Sequence, residues 1–217
     1  MPPTWAVLGF VVVAVVVVVA LRPVVVHGRH RRALKHLLAH QGLHPHAREA
    51  VGKTGLLETP LLARAQASCE DVFRAEVRAA EVLVFEYVSR TRGGPHPDPV
   101  ACFRPQATTL PAFELRPRRS PTDPAGLTFA GAARFSEVYA LSGDDETALR
   151  ALFHPEALGF FERAENQDWG LVAQGGWLGV VRWPLGRRTQ RLEAKHVAGF
   201  VEDAKRVAFL LAGRDAR

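Results

Sequence analysis

WGLVAQGGWLGVVRW, residues 169 to 183, decides how this chain folds. Two runs of aliphatic and aromatic residues flank Gly175-Gly176, and paired glycines supply the positive φ angles that a two-residue hairpin turn demands. The segment reads as two antiparallel strands. Trp169, Trp177 and Trp183 alternate with aliphatic residues, which suits core packing better than ligand stacking.

Outward from this hairpin the pattern stays clear on both sides. Toward the C-terminus, Val197, Phe200, Val201, Ala204, Val207, Ala208 and Leu211 recur at helical spacing, predicting a helix from about Leu192 to Ala212 that Gly213 ends. Toward the N-terminus, HPEALGFFERA starts a helix with Pro155 in its first turn, and SGDDETALRALF is a helix with acids where the dipole favours them. VYALS before it is a strand. Further back, VFRAEV (72–77) and EVLVFEYVS (81–89) lie close enough to pair as a hairpin. TRGGPHPDP reads as a loop, and ACFRPQATTL and AFELRP as strands whose prolines suit the edges of a sheet. Residues 117–134 read as another loop, and 43–68 are poorly periodic. The sum is an α+β domain: an antiparallel sheet of about seven strands, helices on one face, and a long C-terminal amphipathic helix. The same count fits a small pleckstrin-homology-like barrel as an alternative.

The chain begins differently. From Trp5 to Leu21 no residue is charged, and as a helix this run is about 26 Å long, close to a hydrocarbon core of about 30 Å. Val24 to Val26 close the gap if Arg22 reaches toward the headgroups. Valine favours strands in water, but an unpaired strand in lipid would leave its backbone amides unsatisfied, so a helix is expected. No basic residue precedes the run, and Arg22-Pro23 stands where a cleavage site would lie, which favours a retained anchor over an export signal. Basic residues follow the span and none precede it, so the N-terminus is expected outside and the large domain on the cytoplasmic side of the cell membrane. The organisation is then an anchor over 1–27, a basic juxtamembrane helix over 28–48, and a soluble domain over 49–217.

The formal charge of +6 does not signal a nucleic-acid partner. Arg22, Arg29, Arg31, Arg32, Lys35, Arg48 and Lys53, opposed by Glu49 alone, carry the whole excess; beyond residue 53 basic and acidic side chains balance at 21 each. Arg22, Arg29, Arg31, Arg32 and Lys35 are therefore the residues expected to contact the membrane surface, with anionic headgroups facing 22–53 and the bilayer itself holding 5–26.

Familiar chemical motifs are incomplete. AREAVGKTG (47–55) ends like a phosphate loop, but Ala47 stands where the first glycine belongs and no strand precedes it. Six of nine histidines fall between His27 and His46, and His36 and His40 are one helical turn apart, yet no Cys or acid besides Glu49 lies near enough in sequence to complete a metal shell. Asp144, Asp145 and Glu146 are explained by capping. Cys69 and Cys102 carry no redox or metal spacing, and neither has a histidine neighbour in sequence. No catalytic residue, cofactor or metal is assigned.

At VLVFEYVS, LPAFELRP, ARFSEVYALSGDDETALRALFHPEALGFFE and GGWLGVVRW the chain resembles a widespread family of uncharacterised bacterial proteins. That family has one N-terminal span, a short basic helix and a cytoplasmic α+β domain. The resemblance covers most of residues 29–212 and departs around 43–80; it implies the architecture and brings no activity. The expected function is an interaction or scaffold domain at the cytoplasmic membrane face, with a protein partner that the sequence does not identify. A tethered enzyme with a dispersed active site and a headgroup-binding module using Arg116, Arg118 or Arg187 are the alternatives.

Overall fold

A computed structural model describes residues 31–63, 67–77, 80–92, 94–106, 109–120, 123–124, 126–183 and 193–212. The expected anchor over 5–26, with Arg22 and Arg29, lies outside them. Among the described residues no helix is long and apolar enough to cross a membrane.

Residues 31–40 form helix α1. The strands are β1 (His44–Pro45), β2 (Ser68–Val77), β3 (Ala80–Thr91), β4 (Gly94–Pro105), β5 (Phe113–Pro117), β6 (Tyr139–Gly143), β7 (Trp169–Gln174) and β8 (Trp177–Arg182). The remaining helices are α2 (Glu49–Gly52), α3 (Ala133–Val138), α4 (Glu146–Leu152), α5 (Pro155–Glu162) and α6 (Ala194–Ala212). All eight strands make one antiparallel sheet in the order β1-β2-β3-β4-β8-β7-β5-β6. The sheet is open, with β1 and β6 at its edges, and this replaces the barrel alternative. The α+β class, the antiparallel sheet and the C-terminal helix agree with the sequence reading.

Alternation along each strand sends side chains to two separate cores. Val82 and Val84 of β3, Ala101 and Phe103 of β4, and Leu178 and Val180 of β8 face the helices α1 and α3 to α6. Leu83, Phe85 and Tyr87, with Val100, Cys102 and Val181, face the opposite way, where Val51, Leu56, Leu61 and Leu62 cover them. Helices α1 and α3 to α6 thus share one face as expected, while the short α2 and the rest of the weakly periodic stretch after Leu43 seal the other. All seven apolar positions foreseen in α6 are buried, and each fully buried Val, Leu or Phe contributes about 1.5–3 kcal/mol. Trp169 and Trp177 are core residues.

Helix α3 falls where a loop and the start of a strand were expected, and two further segments differ. The supposed loop TRGGPHPDP extends the β3–β4 hairpin, with Thr91 opposite Gly94. It tolerates Pro95, Pro97 and Pro99 because β8 pairs with β4 only from Val100 to Phe103, so no ladder donor is needed on that side. β4 and β5 are interior strands, their remaining prolines falling at the ends, Pro105 and Pro117. The sheet is consequently two four-stranded halves joined by a seam of four residue pairs, with α6 packed against both β4 and β8. Gly175 and Gly176 take φ of 59° and 79° in the β7–β8 turn, as that hairpin requires.

The free edge of β6 is covered by its own chain. Leu127 N–H donates to Leu141 O at 2.7 Å, and a Cβ on Gly126 would stand 2.3 Å from Leu141 N, so only glycine permits this approach.

Candidate functional site

Of the five residues expected at the membrane surface, Arg31, Arg32 and Lys35 lie on the exposed side of α1. Leu34 and Leu38 on its other side are 1% and 0% exposed within the main core, so α1 is part of the domain. Arg31 turns back: its Nε lies 2.7 Å from the buried carboxylate of Asp71, which sits in a bulge of β2 with φ 47°. That acid was invisible to sequence reasoning, since Glu70-Asp71 within a strand gives no sign of which helix it will meet.

Of the clustered histidines, His27 and His30 lie outside the described residues. His36 and His40 stack edge to face with centroids 4.7 Å apart on the exposed face of α1, and among the described residues no three His, Cys, Asp or Glu side chains form a metal-sized group. Thr54, at the end of the loop-like AREAVGKTG, donates its hydroxyl to Val51 O at 2.7 Å within a short turn. Asp145 caps α4 by accepting from Ala148 N–H, and Glu146 pairs with Arg150.

Two grooves stand out among the described residues. One, of about 400 Å³, is lined by Leu57, Leu62, Ala67, Ser68, Cys69 and Tyr87. Tyr87 donates its hydroxyl to Leu62 O at 2.5 Å, and burial pushes the Cys69 thiol up to about 11 despite nearby Arg48, so little thiolate forms at neutral pH. Burial raises Cys102 further. Both are free thiols on β2 and β4, and β3 lies between them; two strand spacings of about 4.8 Å exceed the reach of a disulfide.

The other groove, of about 600 Å³, runs between α6 and the row Pro99–Arg182, with Lys195, His196 and Phe200 along it. Arg182 is its fixed centre. The guanidinium stacks 3.5 Å above the Trp169 ring, binds Asp168, and lies 3.6 Å from Asp203 on α6. Lys195 pairs with Glu193 at 2.8 Å. Tyr139, deeper in the fold, donates to Asn166 O and accepts from Trp169 N–H, and burial raises its phenol. These polar groups tie elements together, and the groove presents a mixed apolar and charged wall.

The arginines singled out for headgroups divide. Arg118 donates to Ser136 O and Asp123 O, which commits it to its own loop, whereas Arg119 is exposed above the Trp183 ring. Arg116 is half-buried, and Arg187 lies outside the described residues.

No family model matches the chain, and no curated protein matches it. Among solved structures, its fold is similar to the crystal structure of the mycobacterial trehalose monomycolate transport factor A, TtfA, with a TM-score of 0.54 and 13% sequence identity. The match covers 83% of this chain and 95% of that one. At that identity the likeness concerns the fold.

Proposed function

We propose that this protein is a single-pass membrane-anchored interaction module whose domain is held at the cytoplasmic face and acts by binding a partner. The observation that carries the reading is the docking of α1. This helix, which follows the apolar N-terminal stretch in the sequence, is buried in the main core through Leu34 and Leu38, and Arg31 joins it to Asp71. Confinement at the membrane would raise the domain's effective concentration toward membrane partners. The neighbour of similar fold is a transport factor, and an accessory role in transport belongs to the same proposal for this chain.

Topology fusions and site-specific crosslinking test the reading together. A fluorescent reporter after Arg217 is expected to light up in the cytoplasm, and a photo-crosslinker at His196 to trap a discrete membrane partner in cells. An exported-side signal from the same fusion would overturn the orientation, and crosslinking to nothing but lipid would overturn the protein-partner role.

A further inference from the structure

The exposed side of α1 carries a pair of side chains that the docking of the helix does not use. His36 and His40 are spaced so that a helix sets one a turn above the other. Both are exposed, and their rings meet at a centroid distance of 4.7 Å with an interplanar angle of 76°. Among the described residues neither ring has a hydrogen-bond or ionic partner. No Asp or Glu occurs between residues 31 and 48, so no acid on this stretch of chain competes for them.

The spacing is that of two imidazoles on one ion. A metal–nitrogen bond of about 2.0–2.1 Å puts a ring centre about 3.2 Å from the metal, and two such rings at right or tetrahedral angles have centres about 4.5–5.2 Å apart. The pair at 4.7 Å falls inside that range. The frame beneath is fixed. Leu34 and Leu38 hold the inner side of the helix in the main core, Gln41 donates its side-chain amide to Ala198 O at 3.2 Å, and Leu43 N–H closes the end on Leu38 O at 2.9 Å. Ligands carried on a rigid helix keep their mutual geometry better than ligands on a loop. His40 also stands in the last turn of α1, where the unmatched carbonyls favour a cation.

Charge alone does not make a site here. Arg32, one turn before His36, and Lys35 beside it are exposed cations that repel an ion. A hard ion such as magnesium, which takes oxygen ligands, gains nothing to offset that repulsion. An ion that bonds imidazole nitrogen does, and copper(II) leads nickel and zinc in that order of affinity. Among the described residues no three His, Cys, Asp or Glu side chains form a metal-sized group, so such an ion is not enclosed.

We propose that His36 and His40 form an open surface site for a divalent transition ion of the copper, nickel and zinc class, with two positions taken by imidazole nitrogens and the others left to water. Unlike a closed structural shell, it keeps exchangeable positions. It depends on neither the anchor nor the groove at Arg182.

The test titrates the full chain in detergent with Cu(II), following heat and, separately, the electron paramagnetic resonance spectrum. Other histidines contribute background, so the comparison is between variants. H36Q and H40Q are each expected to weaken the first equivalent of copper at least about tenfold, and the double variant to lose little more, because one ring without the other is no chelate. The nitrogen hyperfine pattern of two imidazoles should be lost with either ring, and Mg(II) should give no heat. Both rings are exposed, so melting midpoints without metal are expected to match the parent chain and confirm that the variants fold. Copper affinity unchanged in both single variants places the ion elsewhere and overturns the site. Two small losses that add overturn the chelate, and Mg(II) binding as tight as copper overturns imidazole as the ligand.

Discussion

Asp71 occupies the left-handed region at φ 47°, a conformation that Asp tolerates better than most residues, and its carboxylate is 3% exposed beside Arg31. Because the Arg31 side chain is half exposed, R31Q is expected to cost about 1–2 kcal/mol, less than breaking a fully buried pair; thermal melts in detergent check this. Glu114 behaves in the opposite sense. Burial raises its carboxyl above the ordinary value of 4.5, against the pull of Arg116 and the Leu61 amide, so ionisation costs more in the folded chain than in the unfolded one. Stability from this group is recovered as pH falls through the raised value toward 4.5. E114Q should therefore be the more stable chain at pH 7, with the advantage fading toward pH 4.5 in a series of denaturant titrations. Equal midpoints across that range would disprove the cost. Cys69, raised to about 11, should alkylate slowly at pH 7.5, and Cys102 only on unfolding, as peptide mass spectrometry can follow.

At the scale of elements, the packing of α1 and the guarded edge of β6 are the decisive contacts. L38A removes a side chain that is 0% exposed and should destabilise the domain by about 2–5 kcal/mol. G126A drives a methyl into the backbone of Leu141 and should cost about 1–3 kcal/mol while opening the edge of β6, seen as faster amide exchange over Tyr139–Gly143 and a rise in aggregation. Strong local signals made most elements readable: the paired glycines of the β7–β8 turn, Pro155 at the start of α5, and the long apolar stripe of α6. Helix α3 was missed because it is short and the Phe135 N–H is met by Glu162 of α5, a partner 27 residues away. The strand character of Gly94–Pro99 was hidden by its three prolines, which are harmless only because β8 stops short of them.

For the whole molecule, the class and the helical face were legible, whereas the covering of the second face was not. Leu56, Leu61 and Leu62 reach their core from a turn and a loop, where no periodicity marks an inward side. The candidate site was legible only in part: composition located the basic flank, but strand register was needed to bring Arg182 beside Trp169 and Pro99. A chain ending before Ala194 loses the helix that lies against both β4 and β8. Amides of Val100 to Phe103 should then exchange at least about tenfold faster, because the opening that exposes them becomes about 1.4 kcal/mol easier for every factor of ten. Four rungs hold the two sheets' worth of structure together, and α6 lies over them as a spine lies over the covers of a book. Under a load applied through residue 31, the short ladders, two rungs at β1–β2, three at β5–β7 and these four, should part before the long ones of β2–β3 and β3–β4.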